Sequence, residues 1–338
     1  MAKRHHEARH AFAEGMAHHR QGRLEQAKAA YLRAVKADRT FAAAYNNLGF
    51  VCLKLGEYAA AVRHFRRVLA LEPDNIEALH NLGYAYERQE MTGTAKTLYR
   101  RALELDPQNQ EAALNLGLLA QREGDYATAR QYFLAATRLE GNPAHAYFCL
   151  ATLYERLDLF DEAIAAYQEA LAHAPTYGKA LFNLARLYHA QGQHAEAIHY
   201  FERLLALEPD NAQACNSLGL IYEERGEWAQ AVSWLQRAAA LAAFSTEIHL
   251  NLARALYRQH RHALCPEVQQ CLVARLQLVL SLAPDHAEAQ ALLHEVSSAP
   301  LAAPAAQSSS RKACKKASTS ASVPTVTRRA SAVSGEGK

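Results

Sequence analysis

Apolar residues recur along the chain with the spacing of amphipathic helices, and a pattern of two such helices repeats every 34 residues. In residues 42–75 the helical pattern runs from Tyr45 to Cys52, stops at Gly56 and resumes at Tyr58. The repeats begin at Ala8, Ala42, Ile76, Gln110, Ala144, Gly178, Ala212 and Thr246. A fixed period of this length predicts a stack of helix hairpins, which offers a long surface and not a closed pocket.

Small and aromatic residues occupy fixed positions within the repeats. Position 8 is glycine or alanine and position 20 is alanine in each of the first seven repeats, whereas position 24 is aromatic in the first six. The small residues predict a close approach of the two helices of a hairpin, and the aromatic ring fills the space beside them. Since one hairpin cannot bury its apolar face alone, each repeat must stack on its neighbours.

Turn and cap residues mark the ends of the predicted helices. Glycines suited to a left-handed cap end the first helix of five repeats, at Gly22, Gly56, Gly124, Gly192 and Gly226. Prolines stop the second helix of four repeats, at Pro73, Pro107, Pro175 and Pro209. Asparagines predicted to cap the following helix come two residues later, at Asn75, Asn109 and Asn211.

The repeat resembles that of a known family. The matching residues of the third repeat are Leu82, Gly83, Tyr86, Ala95, Tyr99 and Pro107. Over residues 8–294 the chain is similar to the tetratricopeptide repeat family. The resemblance implies an all-α fold, a right-handed α-solenoid (superhelix) of about eight helix-turn-helix repeats, whose concave groove is lined by the first helix of each hairpin.

The pattern divides the chain into three parts. Residues 1–7 form an N-terminal leader, residues 8–296 the repeat array, and residues 297–338 a tail of Ala, Ser, Pro and basic residues, which predicts disorder. The eighth repeat regains register only after seven extra residues, which predicts an insertion near residues 258–267. Residues 287–296 are predicted to form a solvating C-terminal helix.

The formal net charge of +3 is the sum of two parts of opposite sign. The tail carries seven basic residues against Glu336, so the rest of the chain is mildly acidic. A basic tail is able to contact nucleic acid or an anionic membrane, and an adaptor that acts through its tail is an alternative function for the chain. The other interpretation is a solubilising tail that binds nothing.

The motifs do not predict an enzyme that uses a cofactor. The sequence has no phosphate-binding loop and no dinucleotide fingerprint, so no cofactor is expected. No apolar run approaches the length of a membrane span, and the N-terminal residues lack the hydrophobic core of a secretory signal. The six cysteines lack paired spacing, which indicates a reducing compartment, and we expect a cytoplasmic protein.

One string does match a catalytic motif, H-E-x-x-H from His6 to His10. On a helix the two histidines would face one way and hold zinc, and Glu7 would polarise a bound water. A zinc-dependent peptidase is therefore a remote alternative function. The motif lies in a histidine-rich stretch, and the sequence offers neither a third ligand nor a strand to bind a substrate, so we predict no catalytic and no metal-binding residues.

Family geometry places positions 6, 9 and 13 of each repeat on the groove. At position 6, five asparagines recur at multiples of 34 residues: Asn47, Asn81, Asn115, Asn183 and Asn251. An amide side chain both donates and accepts, so this asparagine ladder would hold the backbone of an extended peptide. The ladder is similar to that of the repeat region of O-linked N-acetylglucosamine transferases, although no catalytic domain follows here. Local capping by the asparagines is the competing interpretation.

Positions 13 and 9 add charge and apolar surface to the same face. Position 13 is basic in five consecutive repeats, and the basic stripe is defined here as Lys54, Arg88, Arg122 and Arg156. A cation in the last turn of a helix is also favoured by the helix dipole, so the stripe has a structural interpretation beside the functional one. Position 9 offers Phe50 and Tyr84 as apolar anchors for a ligand.

These features together predict a non-catalytic protein–protein interaction scaffold or adaptor. Its partner would be another protein, bound through an extended segment that carries acidic and apolar residues and lies across repeats 2–5. We expect no small-molecule substrate, because a stack of hairpins has no enclosed pocket.

Overall fold

The fold is all α-helix in the part of the chain that the structure describes. This computed structural model describes residues 2–301, with side chains from Arg4 onward, and no strand occurs among these residues. The helices fall into two compact units, unit 1 (Met1–Pro175) and unit 2 (Thr176–Lys338). The predicted tail from residue 302 onward lies outside the described residues.

Unit 1 contains five helix hairpins. Its helices are, in chain order, α1 (Ala2–Arg20), α2 (Leu24–Ala37), α3 (Ala42–Lys54), α4 (Tyr58–Leu71), α5 (Ile76–Glu87), α6 (Thr92–Leu105), α7 (Gln110–Arg122), α8 (Tyr126–Ala136), α9 (Pro143–Arg156) and α10 (Phe160–His173). Odd-numbered helices are the first of each hairpin, and α1 runs through the predicted leader. Consecutive helices pack on each other, and the first helices α3 and α5, and α7 and α9, also contact each other.

The described part of unit 2 contains three hairpins and one further helix. Its helices are α11 (Gly178–Ala190), α12 (His194–Leu207), α13 (Ala212–Glu224), α14 (Trp228–Leu241), α15 (Thr246–His260), α16 (Pro266–Leu282) and α17 (Ala287–Ser298). Consecutive helices again pack on each other. The last hairpin is longer, because α15 has 15 residues where α13 has 13, and α16 has 17 where α14 has 14. The extra residues therefore lengthen both helices as well as the turn between them.

The all-α solenoid fold predicted from the sequence is confirmed within each unit. The aromatic rings at position 24 are fully buried, namely Tyr31, Phe65, Tyr99, Phe133, Tyr167 and Phe201. In the first four repeats the ring lies against the glycine at position 8, where a β-carbon added to Gly49 would lie 2.8 Å from the Phe65 ring. Position 8 is small because the ring occupies the space that a larger side chain would need.

The turn between the two helices of a hairpin has a left-handed residue at position 15. The five predicted glycines all have positive φ, for example 78° at Gly56 and 73° at Gly192. Glu90, with φ of 62°, and Asp158, with φ of 56°, hold the same position in repeats 3 and 5. The turn geometry is thus kept even where the residue has a β-carbon, at a cost in local strain.

The predicted helix caps are confirmed at the start of α5, α7 and α13. Asn75 accepts a hydrogen bond from the Ala78 amide at 2.9 Å, and Asn109 and Asn211 do the same for the third residue after them. The second helix α4 ends at Leu71, two residues before Pro73. Local turn chemistry therefore sets the starts of α5, α7 and α13 and the end of α4.

Candidate functional site

The basic stripe lies at the C-terminal ends of first helices in unit 1. Lys54 ends α3, Arg88 follows the last residue of α5, and Arg122 and Arg156 end α7 and α9. All four side chains are exposed. The helix dipole favours a cation in these places, and the exposure leaves each charge accessible to a ligand.

Aromatic rings accompany the first two cations of the stripe. Lys54 Nζ lies 5.2 Å from the centroid of the Phe50 ring, and the Arg88 guanidinium lies 4.9 Å from that of Tyr58. Arg88 Nη1 also donates a hydrogen bond to Tyr84 Oη at 3.3 Å. Cation–π contacts of this kind hold a charged group at a defined place on the surface.

Apolar side chains at position 9 are exposed beside the stripe. Tyr84 is 39% exposed and Leu118 is 41% exposed. Phe50, at the same position of repeat 2, is half-buried, and its ring lies 5.6 Å from that of His19. Tyr84 and Leu118 therefore offer the more accessible apolar surface on this face.

The third cation of the stripe is already paired within the unit. Arg122 Nη2 lies 2.9 Å from Glu87 Oε1, and Glu87 Oε2 accepts a hydrogen bond from Tyr99 Oη at 3.4 Å. Burial and the nearby Glu87 carboxylate raise the pKa of the Tyr99 hydroxyl, so it remains a donor. Among the described residues, Arg156 has no ion pair. The positive charge of the stripe is therefore uneven along its length.

The three ladder asparagines of unit 1 are half-buried, and two are hydrogen-bonded within the unit. Asn47 Nδ2 donates to Tyr31 Oη at 3.5 Å, and Asn115 Nδ2 lies 2.7 Å from His80 Nε2. Burial lowers the pKa of His80, so its neutral ring can accept this proton. Since each bond uses one amide proton, Asn47, Asn81 and Asn115 keep further capacity to donate to and accept from a peptide.

The two remaining ladder asparagines lie in unit 2. Asn183 is half-buried on α11. Asn251 is only 7% exposed, its Nδ2 donates to Asn216 Oδ1 at 3.1 Å, and its Oδ1 accepts from Arg254 Nη2 at 3.2 Å. The sequence predicts Asn251 as a peptide ligand, but the structure buries its amide and engages both of its polar atoms. The cause is a set of partners in neighbouring turns and repeats that its position in the repeat does not reveal.

Successive repeats are joined by contacts between a side chain of one repeat and the side chain one position further along in the next repeat. Positions 5 and 6 meet in His80–Asn115 and in Asn216–Asn251, each pair 35 residues apart. Positions 12 and 13 meet in Glu87–Arg122, His189–Glu224 and Glu223–Arg258. These contacts are termed junction pairs. In the sequence, these pairs can be recognised as chemically complementary residues that lie 35 positions apart.

The H-E-x-x-H string lies exposed on α1. His6, Glu7 and His10 have no third metal ligand close to them in the described part of the chain. Within residues 4–301, the side chains close enough to share a metal ion are instead His189, His194 and Glu224. The sequence missed this group because its members come from three different helices. The string therefore carries no support for a peptidase.

Most of the predicted tail lies outside the described residues. Of residues 297–338 the structure describes 297–301, in which α17 ends at Ser298. The alternative function in nucleic-acid or membrane binding rests on residues outside the described part. Among the described residues, no helix has the length and apolar character needed to cross a membrane.

Protein-family models match most of the repeats. Models described as tetratricopeptide repeat match residues 40–108, 142–210, 182–246 and 98–131, and one described as TPR repeat matches residues 15–56. The matches together cover residues 15–131 and 142–246. A search of curated proteins gives no match.

Solved structures with a similar fold include a tetratricopeptide repeat protein from Parabacteroides merdae and pilF of Pseudomonas aeruginosa. The first is 20% identical, with a TM-score of 0.53 over 74% of this chain and 99% of that chain. The second is 23% identical, with a TM-score of 0.52 over 67% of this chain and 99% of that chain. MamA is 28% identical over 48% of this chain and 94% of that chain, with a TM-score of 0.44. At these identities the first two likenesses show the fold alone.

Proposed function

Because the chain belongs to the tetratricopeptide repeat family of interaction scaffolds, we propose that it is a non-catalytic adaptor that binds an extended segment of another protein. The binding surface is the face of repeats 2–5 that the first helices of unit 1 present. One observation carries the proposal: exposed apolar side chains stand next to exposed cations on this face, Tyr84 with Arg88 and Leu118 with Arg122.

The apolar and basic members of each pair are four residues apart. Residues at this spacing are neighbours on a helix surface, so each pair forms one composite contact patch. The same arrangement occurs at Phe50 and Lys54 of repeat 2, where the two side chains touch. A ligand that places an apolar residue and a carboxylate opposite each patch would use both halves of it.

The charges predict where an acidic ligand is held most firmly. Arg122 shares its charge with Glu87, whereas Lys54 and Arg88 lie against aromatic rings, which leave their charge unneutralised. We therefore expect carboxylates of the ligand to lie opposite repeats 2 and 3, with a further contact at Arg156.

The asparagines supply contacts that do not depend on the ligand's side chains. Asn47, Asn81 and Asn115 stand at equivalent places on α3, α5 and α7, and their amides can bond to peptide groups. Each repeat contributes a modest affinity, so several must be occupied together by one extended chain.

The test is selection of short peptides from a random display library on the immobilised full chain. We expect the recovered peptides to be rich in acidic and apolar residues. Their affinity, measured by fluorescence anisotropy, should fall at least about tenfold when Lys54, Arg88, Arg122 and Arg156 are all changed to alanine, since each exposed charge contact is worth a fraction of a kcal/mol.

A matched control removes four cations from the second helices of the same unit, by changing Arg63, Arg66, Arg100 and Arg130 to alanine. These four side chains are also exposed, so the net charge changes equally. If both variants bind the selected peptides alike, the stripe is only a helix-end feature and the proposed surface is wrong. If Asn47, Asn81 and Asn115 can be changed to alanine without loss of affinity, the ladder takes no part in binding.

A further inference from the structure

Unit 2 holds a group of potential metal ligands that takes no part in the function proposed above. His189 lies in the last turn of α11, His194 is the first residue of α12, and Glu224 is the last residue of α13. Their ligand atoms all lie within 4.8 Å of one another. Three helices of two successive repeats thus bring one ligand each to a single point.

The two imidazoles approach the same carboxylate oxygen. Glu224 Oε2 lies 2.9 Å from His189 Nε2 and 3.2 Å from His194 Nε2. Two ligands about 2.1 Å from a tetrahedral zinc ion lie about 3.4 Å from each other. Shifts of a few tenths of an ångström would therefore bring both histidine–glutamate pairs to the separation that a bound ion requires.

The accessibility of the group suits a site that an ion can reach. The His189 and His194 side chains are 20% and 27% exposed, whereas that of Glu224 is 51% exposed. The imidazoles are therefore held by their surroundings while the carboxylate side is open to water. Three protein ligands with an open fourth position is an arrangement that zinc adopts in proteins.

The helix ends that meet at this group favour a cation. Helices α11 and α13 both end at this point, and the C-terminal end of a helix carries partial negative charge, while only α12 begins here. The adjacent Arg225 is directed elsewhere, since its guanidinium lies 2.6 Å from Glu227 and 5.7 Å from the centroid of the Tyr222 ring. Its charge is thus taken up by a carboxylate other than Glu224.

We propose that His189, His194 and Glu224 bind a divalent transition-metal ion, zinc in the first instance, and that the ion joins repeats 6 and 7. Two imidazoles and one carboxylate form a donor set that suits zinc better than calcium or magnesium, which take oxygen ligands. The fourth position would be filled by water or by a side chain of a bound protein.

The experiment titrates the metal-free full chain, without any affinity tag, with zinc alone and follows binding by calorimetry. We expect one zinc ion per chain, and at least about a hundredfold weaker binding in both His189→Gln and His194→Gln, because loss of a residue that merely orients a ligand already costs ten- to a hundredfold. Glutamine can still donate a hydrogen bond to Glu224, so the helices should be retained, as circular dichroism would verify.

Two further variants decide whether the site is the proposed one. His199→Gln removes an exposed histidine from the same helix, α12, and should bind zinc like the parent. His6→Gln with His10→Gln removes the histidines of the H-E-x-x-H string and should also leave the affinity unchanged. The proposal is overturned if the parent binds no stoichiometric zinc or if His194→Gln keeps full affinity. It is also overturned if the variant with both His6→Gln and His10→Gln no longer binds zinc.

Discussion

Two junction pairs at the same register carry opposite chemistry in the two units. In unit 1, position 12 is the carboxylate Glu87 and position 13 is the guanidinium Arg122, at 2.9 Å. In unit 2, position 12 is the imidazole His189 and position 13 is the carboxylate Glu224, also at 2.9 Å. The repeat determines which two positions meet, and it leaves the kind of contact open. On the two proposals made above, the same scaffold would present a surface for acidic peptides in unit 1 and a cation site in unit 2.

The junction carboxylates Glu223 and Glu87 also differ in how deeply they are buried. Glu223 in unit 2 is 6% exposed and lies 2.9 Å from Arg254 and 3.2 Å from Arg258. Arg254 reaches Glu288 on α17 at 3.3 Å as well. Glu87 in unit 1 is 21% exposed, and its partner Arg122 is 55% exposed. The Glu223 carboxylate is thus shielded from water, whereas the pair of Glu87 and Arg122 is accessible to it.

The largest effect should come from the buried aromatic rings at position 24, of which unit 1 has five and unit 2 has one. Phe65→Ala in unit 1 and Phe201→Ala in unit 2 should each lower the free energy of unfolding by about 3–5 kcal/mol, because each leaves a cavity where a fully buried ring stood. Denaturant unfolding followed by circular dichroism measures both. Leu32→Ala, at a side chain that is 44% exposed, is the control and should cost far less. If only one of the two substitutions lowers the free energy of unfolding by this amount, the two rings do not contribute equally to stability.

A smaller effect should separate the two carboxylates of the junction pairs. Glu223→Gln should cost about 1–3 kcal/mol, since it leaves two arginines facing a buried neutral amide. Glu87→Gln should cost less than about 1 kcal/mol, because its ion pair is exposed to solvent. Unfolding at low and high salt gives a second readout, in which the contribution of Glu87 should decline more steeply with salt. Equal costs and equal salt dependence would remove the distinction drawn between the units.

The smallest effect concerns the left-handed turn residue, which is glycine at Gly192 and Gly226 in unit 2 and in three turns of unit 1, but glutamate at Glu90. Glu90→Gly should raise the stability of the chain by about 0.5–1 kcal/mol, because glycine adopts positive φ without strain. Gly192→Ala should lower it by about 1 kcal/mol for the same reason. Thermal unfolding midpoints measure both changes. A loss of stability in Glu90→Gly would mean that the glutamate side chain makes a contribution that exceeds its backbone strain.

The sequence predicts those features that are specified by residues close to one another in the chain. Asn75 caps the helix that follows it, Gly56 reverses the chain, and Phe65 fills the space beside Gly49, all within a few turns of one another. Such contacts depend on local chemistry and on the 34-residue period, and both can be read from the residues alone.

The candidate sites were less predictable because most of their partners come from other helices. Asn251 has the same position in its repeat as Asn81, yet Asn216 and Arg254 surround its amide. A turn separates His189 from His194, and the rest of α12 lies between His194 and the helix that carries Glu224. No single helical pattern in the sequence therefore includes two of these residues. A period describes what the repeats have in common, whereas these contacts arise from what makes each repeat different.

The junction pairs carry a consequence for how such a chain can be rearranged. Each pair takes one side chain from a repeat and one from the next repeat. A rearrangement therefore keeps a junction pair only if it moves the two adjoining repeats together. A duplication that placed the seventh repeat after the third would set Glu224 opposite Glu87, and two carboxylates would meet where an arginine now stands. Transplanting repeats 6 and 7 together, by contrast, would carry His189, His194 and Glu224 intact into a new array.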